Sequence, residues 1–241
     1  MPILFFLTAL FSEVVGTIAG FGSSTILLPL ALFYFDFTTA LALVAFFHLF
    51  GNLSRVGFFK GGLDKNTIIK FGIPSVIFSI SGAFLVQYVS QDLLKGILGL
   101  FLLAYSIAFL WKDNIKIKES FFNTLLGGGL SGFLAGLIGT GGALRGAFLT
   151  SFNLSKEKYI ATSAFIAIAV DATRIPAYLK EGFLQSSNSW YLLALFPVAV
   201  VGSLLGKKIV EKVPQKSFKK VVLVAILFIS IQLIYTGLFK K

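Results

Sequence analysis

A guanidinium set among Ala143, Leu144, Gly146, Ala147 and Phe148 is costly, because an ionised group in an apolar helix requires a cavity, a counter-charge or a bound anion. That residue, Arg145, offers forked recognition of a small anion. Snorkelling, or pairing to a carbonyl for structure, is the alternative. Arg145 directly follows a glycine- and hydroxyl-rich stretch, Gly139, Thr140, Gly141 and Gly142, and the first half of the chain has a counterpart in Gly20, Gly22, Ser23, Ser24 and Thr25. If each stretch interrupts a helix, the helix that restarts after it aims unpaired backbone N–H groups and the positive end of its dipole at the break, an arrangement that binds anions. The glycines let a ligand approach the backbone and the hydroxyls donate hydrogen bonds. Packing of small residues at a tight turn is the competing explanation.

Further polar groups lie within apolar runs. Asn52 and Arg55 are three apart, as are Asp171 and Arg174, a spacing that puts each pair on one helix face. Asp171 and Arg174 read either as a structural ion pair or as a coupling carboxylate beside a substrate-binding Arg, whereas Arg55 is freer to meet substrate or phosphate headgroups. His48, the single His, serves either as a proton carrier near neutral pH or as a hydrogen-bonded core imidazole. Glu13 and Asp171 are the two acids inside the predicted membrane segments rather than at their ends, and Glu13 is a second candidate proton carrier or a buried hydrogen-bond partner. With no Cys, thiolate metal sites, disulfides and Cys nucleophiles are excluded. One His and two membrane-level acids are too few for an intramembrane enzyme, so no catalytic residue, metal or cofactor is expected.

These groups need elements to hold them. The chain is 56% hydrophobic and 13% charged, about half the charge of a soluble domain, and belongs in a bilayer. Its apolar runs do not alternate, which excludes a membrane barrel. Ten helical segments are predicted: 3–19, 24–36, 38–58, 68–89, 93–111, 120–138, 142–153, 157–178, 189–210 and 217–238. Six approach or exceed the roughly 20 residues needed to cross. The other four form two pairs around the breaks, whose second members have a re-entrant length. The N-terminus lacks a basic region and runs straight into the first helix, so a retained helix rather than a cleaved signal is expected.

Sliding the chain by 119 positions puts Gly22 on Gly141, Ala42 on Ala161, Asn52 on Asp171 and Arg55 on Arg174. The expected organisation is a duplication, residues 1–113 and 114–241, within one membrane domain. Lysine placement orients the copies. If each pair crossed once, the 18 Lys would divide nine and nine; if each pair enters and returns, they divide 14 to 4, as the positive-inside rule requires. The expected fold is therefore all-α and polytopic, two inverted repeats, each a broken re-entrant hairpin plus three transmembrane helices. The Lys-rich side faces the cytoplasm and both termini lie outside a bacterial-type inner (plasma) membrane. The net charge of +11 resides in loops and reads as topology and lipid contact, not as nucleic-acid binding. Inverted repeats with broken helices are a transporter architecture, with the site near the midplane where the repeats meet. The expected partners are membrane lipids and a small anionic substrate, and self-association into a homo-oligomer is left open. A non-transport membrane subunit, and an intramembrane enzyme for which the few titratable groups make a poor set, are the other classes considered.

The segments GTIAGFGSSTILLPL (Gly16 to Leu30) and GFLAGLIGTGGALRG (Gly132 to Gly146), together with the duplication, the size and the N/D-x-x-R segments, resemble the TauE/SafE family of sulfite exporters over nearly the whole chain. The resemblance implies an integral membrane protein moving sulfite, thiosulfate, sulfoacetate or related organosulfur anions. The family's break is richer in glycine than GFGSS, and Pro29 has Phe148 as its counterpart, so the first half departs from the pattern.

Overall fold

Glycine and hydroxyl residues stop the apolar runs where periodicity alone would continue them. In the computed structural model, which describes residues 2–20, 22–59, 62–112, 120–149, 152, 154–210, 212 and 215–240, α1 (Pro2–Ala19) ends at Gly20, with φ +80°, and α2 (Ser24–Ala31) follows. Then come α3 (Phe37–Phe58), α4 (Lys65–Tyr88, with a π-helical turn at Ile68–Gly72) and α5 (Gln91–Trp111). The second half has the same sequence of elements. Helix α6 (Phe121–Ile138) ends at Gly139, with φ +70°, and is followed by α7 (Gly142–Leu149), α8 (Lys156–Lys180), α9 (Trp190–Val210) and α10 (Gln215–Ile234), which a π-helical turn extends to Phe239. The expected 113/114 boundary and Lys60, Lys116, Lys118 and Lys241 of the lysine tally lie outside the described residues.

Eight of these helices, all but α2 and α7, are 18 to 25 residues long and apolar enough to cross a membrane. Six full spans were expected. The difference is α1 and α6, whose 18 residues reach about 27 Å at 1.5 Å per residue. Helices α2 and α7 are shorter than expected, eight residues each. Residues 32–34 form turns, and Asp36 then caps α3, its carboxylate accepting from the Thr39 N–H at 3.1 Å. Both breaks fold their helices back. The Phe5 ring meets the Tyr34 and Phe35 rings at 5.7 and 4.9 Å, so α1 begins where the α2 turn ends. The Phe148 ring of α7 lies against Gly127 in the second turn of α6.

Helices α3 and α8 pack on one another, and α5 packs on α10. Helix α1 packs on α9, and its counterpart α6 packs on α4. Exchanging the halves therefore reproduces these principal helix pairs. The α4–α6 contact is closest, because Gly128, Gly132 and Gly136, spaced by four, face the carbonyls of Phe71, Ser75 and Ser79, leaving no room for a Cβ. On the other side, Gly202 and Gly206 of α9 face Glu13 and Thr17 of α1. These contacts fix the depth at which the polar residues of α3 and α8 sit.

Candidate functional site

Two polar clusters run across the packed helices. On α3, Arg55 is 4% exposed and donates through Nη2 to Glu13 Oε1 at 2.5 Å, through Nε to Thr17 Oγ1 at 3.1 Å and through Nη1 to Asn52 Oδ1 at 2.9 Å. Asn52 Nδ2 in turn donates to the His48 carbonyl at 2.7 Å. Ser203 Oγ of α9 adds a 2.6 Å bond to Glu13 Oε1 and a 3.2 Å bond to the Gly51 carbonyl. On α8, Arg174 holds Asp171 Oδ1 through Nε at 2.9 Å and Nη2 at 2.8 Å, and donates through Nη1 to the Ala135 carbonyl. Tyr178 donates to the Gly136 carbonyl just before the second break. His48 Nδ1 joins the clusters, lying 2.8 Å from Asp171 Oδ2 across the two halves.

A cavity opens beside the first cluster. Gly16, Thr17, Gly20 and Gly22 form one wall, Asn52 and Arg55 a second, and Arg145 with Tyr159, Ile160, Ser163 and Ala164 a third. It offers about 20 Å³ to the centre of a water-sized sphere, room for about one water, so a larger anion enters only when the walls part. Arg145 is 4% exposed, and its Nε donates to Ser163 Oγ at 3.0 Å. Unlike Arg55 and Arg174, Arg145 pairs with no described carboxylate. Among the described residues, three buried guanidiniums stand against two buried carboxylates, a formal charge of +1 around this cavity with His48 counted as neutral.

The cavity lies toward the end of α8 where Lys156 and Lys158 begin it. Tyr159 OH crosses it to donate to the Gly20 carbonyl at 2.9 Å. Around it, Lys207 Nζ donates to the Phe58 carbonyl at 2.6 Å, the Asp64 N–H donates to Thr162 Oγ1 at 2.9 Å, and Lys158 pairs with Asp64 at 3.4 Å. The Thr67 backbone N–H, then its hydroxyl, holds the Asp64 carboxyl below the usual carboxylate range, with Lys158 adding to the effect. At the opposite end, Phe5, Phe35 and Tyr191 pack edge to face at 4.9 to 5.7 Å.

Of the residues singled out in the sequence, Gly20, Gly22, Asn52, Arg55 and Arg145 line the cavity. Thr25 and Thr140 join the two breaks directly, their hydroxyl oxygens 2.8 Å apart. Ser23, Ser24 and Gly142 are buried at the starts of α2 and α7 without lining it. Gly139 faces Leu28 and Leu41, and Gly141 faces the Ser131 carbonyl and Ala135, so both are packing positions in this conformer. Asp171 and Arg174 lie beyond the cavity wall, reached through His48. Glu13 pairs with Arg55 and Ser203 rather than standing alone. Tyr159, Ser163, Thr17, Ser203 and Tyr178 were not singled out. The one local signal for Tyr159 is its place a turn inside α8 behind two Lys residues.

A family profile described as Sulfite exporter TauE/SafE matches residues 5–233. Among curated proteins, the probable membrane transporter protein YunE of Bacillus subtilis is 24% identical over 95% of this chain and 96% of its own length. A probable membrane transporter protein of Methanocaldococcus jannaschii is 27% identical over 86% of this chain and 85% of its own. No solved structure matches the chain significantly. A whole-length profile match, eight apolar helices of crossing length and relatives named as transporters agree: this chain is a multi-pass membrane transporter and belongs to the TauE/SafE sulfite exporter family.

Proposed function

We propose that the protein moves a small anion, a sulfur oxyanion or organosulfonate such as sulfite, as a secondary transporter or facilitator. The observation that carries this reading is Arg145, a buried guanidinium beside the cavity that, among the described residues, forms no ion pair with a carboxylate. In a low-dielectric interior such a charge is stable only with a counter-ion, and a transported anion is that counter-ion. The matched family's description, Sulfite exporter, supports sulfur chemistry for the anion. The binding region comprises the two glycine-rich breaks with Asn52, Arg55 and Arg145, and Glu13, His48 and Asp171 are the groups available for proton coupling.

The two halves act as inverted repeats, and alternating access moves one against the other. Support comes from the 119-residue offset, which carries Gly20 onto Gly139, both with positive φ, and the start of α3 onto the start of α8. The exchange pattern of the helix pairs agrees. Each hairpin returns to the end where it began, leaving three spans per half and opposite orientations. By the lysine distribution, the Tyr159 end faces the cytoplasm of an inner membrane and both termini lie outside. The test is flux of radiolabelled sulfite into proteoliposomes. Arg145→Ala is expected to abolish saturable flux, and Arg145→Lys to retain part of it with a raised KM. Arg145→Ala transporting like the parent would overturn the proposal.

A further inference from the structure

Two buried polar atoms next to the first break have no hydrogen-bond partner among the described residues: His48 Nε2 and Ser23 Oγ. His48 is 3% exposed and Ser23 fully buried. The imidazole is aimed at the break, for a Cβ built on Gly22 would stand 3.0 Å from Nε2. Ser23 immediately precedes α2, whose eight residues direct their N-terminal dipole at the same place.

The protonation pattern of His48 follows from its neighbour. Asp171 Oδ1 accepts two bonds from Arg174, at 2.9 and 2.8 Å, which is the behaviour of an ionised carboxylate. Its other oxygen, Oδ2, then has only lone pairs to offer, so His48 Nδ1 carries the hydrogen of their 2.8 Å bond. In the neutral ring this leaves Nε2 as a bare acceptor. The break therefore presents a positive helix end and a hydroxyl donor on one side and a lone pair on the other.

We propose that Ser23, His48 and the N-terminus of α2 form a second, deeper ligand station that takes an oxyanion still carrying a proton. Its ionised oxygens face Ser23 and the helix end, and its O–H donates to His48 Nε2. A proton-free anion leaves that lone pair facing an oxygen and is held less well. The station adjoins the Arg145 cavity, because Gly22 lines the cavity and also borders Nε2. This assignment rests on the anion-transport reading and adds to it a preference among anions.

The experiment compares thermal stabilisation of the detergent-solubilised full-length protein by hydrogensulfite and by methanesulfonate, both monoanions, of which only the first carries an acidic hydrogen. The parent is expected to half-saturate with hydrogensulfite at a concentration about tenfold lower. His48→Phe, which also gives up the Nδ1–Asp171 bond within the protein, should remove that difference by deleting the one bond to the acidic hydrogen, while leaving methanesulfonate within about twofold of the parent. Ser23→Ala, which breaks no bond among the described residues, should weaken both anions about three- to tenfold at an unchanged ligand-free Tm, and it decides the matter if His48→Phe does not fold. No discrimination by the parent, or parental affinities in Ser23→Ala, overturns the station and reduces it to a water site. If neither anion stabilises the parent, and Arg145→Ala behaves identically, the anion reading itself fails.

Discussion

Glu13→Gln separates two effects that the buried charges exert together. Glu13 Oε1 accepts bonds from Arg55 at 2.5 Å and Ser203 at 2.6 Å, and the carboxylate is fully buried. The amide keeps the shape and one accepting oxygen but removes the charge. Breaking a buried ion pair costs about 3–5 kcal/mol, and the retained acceptor places this substitution near the lower end, about 3 kcal/mol. The charge around the cavity rises at the same time from +1 to +2, because Arg55 loses its partner. A further unit charge ~6 Å from a bound anion, at an effective dielectric constant of ~20, is worth about 2.8 kcal/mol, or about 100-fold in Kd. The fold should therefore weaken while anion affinity rises. Unfolding in SDS measures the first effect and isothermal titration with sulfite the second, and saturating anion should restore much of the lost stability. A folded Glu13→Gln protein with parental or weaker anion affinity would refute the claim that Arg55 acts on the cavity.

Removing the Tyr159 hydroxyl in Tyr159→Phe deletes the 2.9 Å bond to the Gly20 carbonyl, about 1 kcal/mol, and is expected to raise the rate of anion exchange in proteoliposomes with little change in Tm. Gly132→Leu drives a side chain into the Ser75 carbonyl between α4 and α6 and should lower the midpoint of thermal unfolding sharply, an overpacking cost of about 1–3 kcal/mol or more. Asp64 contributes stability that is fully present above the ordinary carboxylate pKa and lost as pH falls through its own lowered value. Asp64→Asn should therefore flatten the acid limb of Tm against pH and leave the neutral region nearly unchanged.

Local pattern carried much of this architecture. Glycine at 20 and 139 interrupts two apolar runs because the left-handed φ there suits a residue without a Cβ, and such breaks are legible one residue at a time. The repeat was legible for the same reason, since equal offsets between small and charged residues need no folding to be seen. The lengths of α2 and α7 were harder to read: the residues after Ala31 are as apolar as those before it, and the Asp36 cap that starts α3 ends the run. The partners of the charges were least visible. Glu13 meets Arg55 across 42 positions within the first half and His48 meets Asp171 across 123 between the halves, contacts that exist only once the helices are packed. Read locally, Arg55 looked unneutralised, whereas among the described residues it is Arg145 that forms no ion pair. Tyr159 was overlooked because one aromatic among 37 Phe, Tyr and Trp residues carries no signal until its hydroxyl is seen on Gly20.

The crossed pairing of α1 with α9 and of α6 with α4 has a consequence for how the chain is made. A nascent first half leaving the ribosome presents α1 and α4 with their main partners not yet synthesised. The faces that α9 and α6 will cover are the ones bearing Glu13, Thr17 and the close backbone of Phe71 to Ser79. Assembly in the membrane must then wait for the C-terminal half, because lipid cannot satisfy those polar groups. Two half-genes expressed together should yield a working complex, whereas either alone should be cleared by proteolysis.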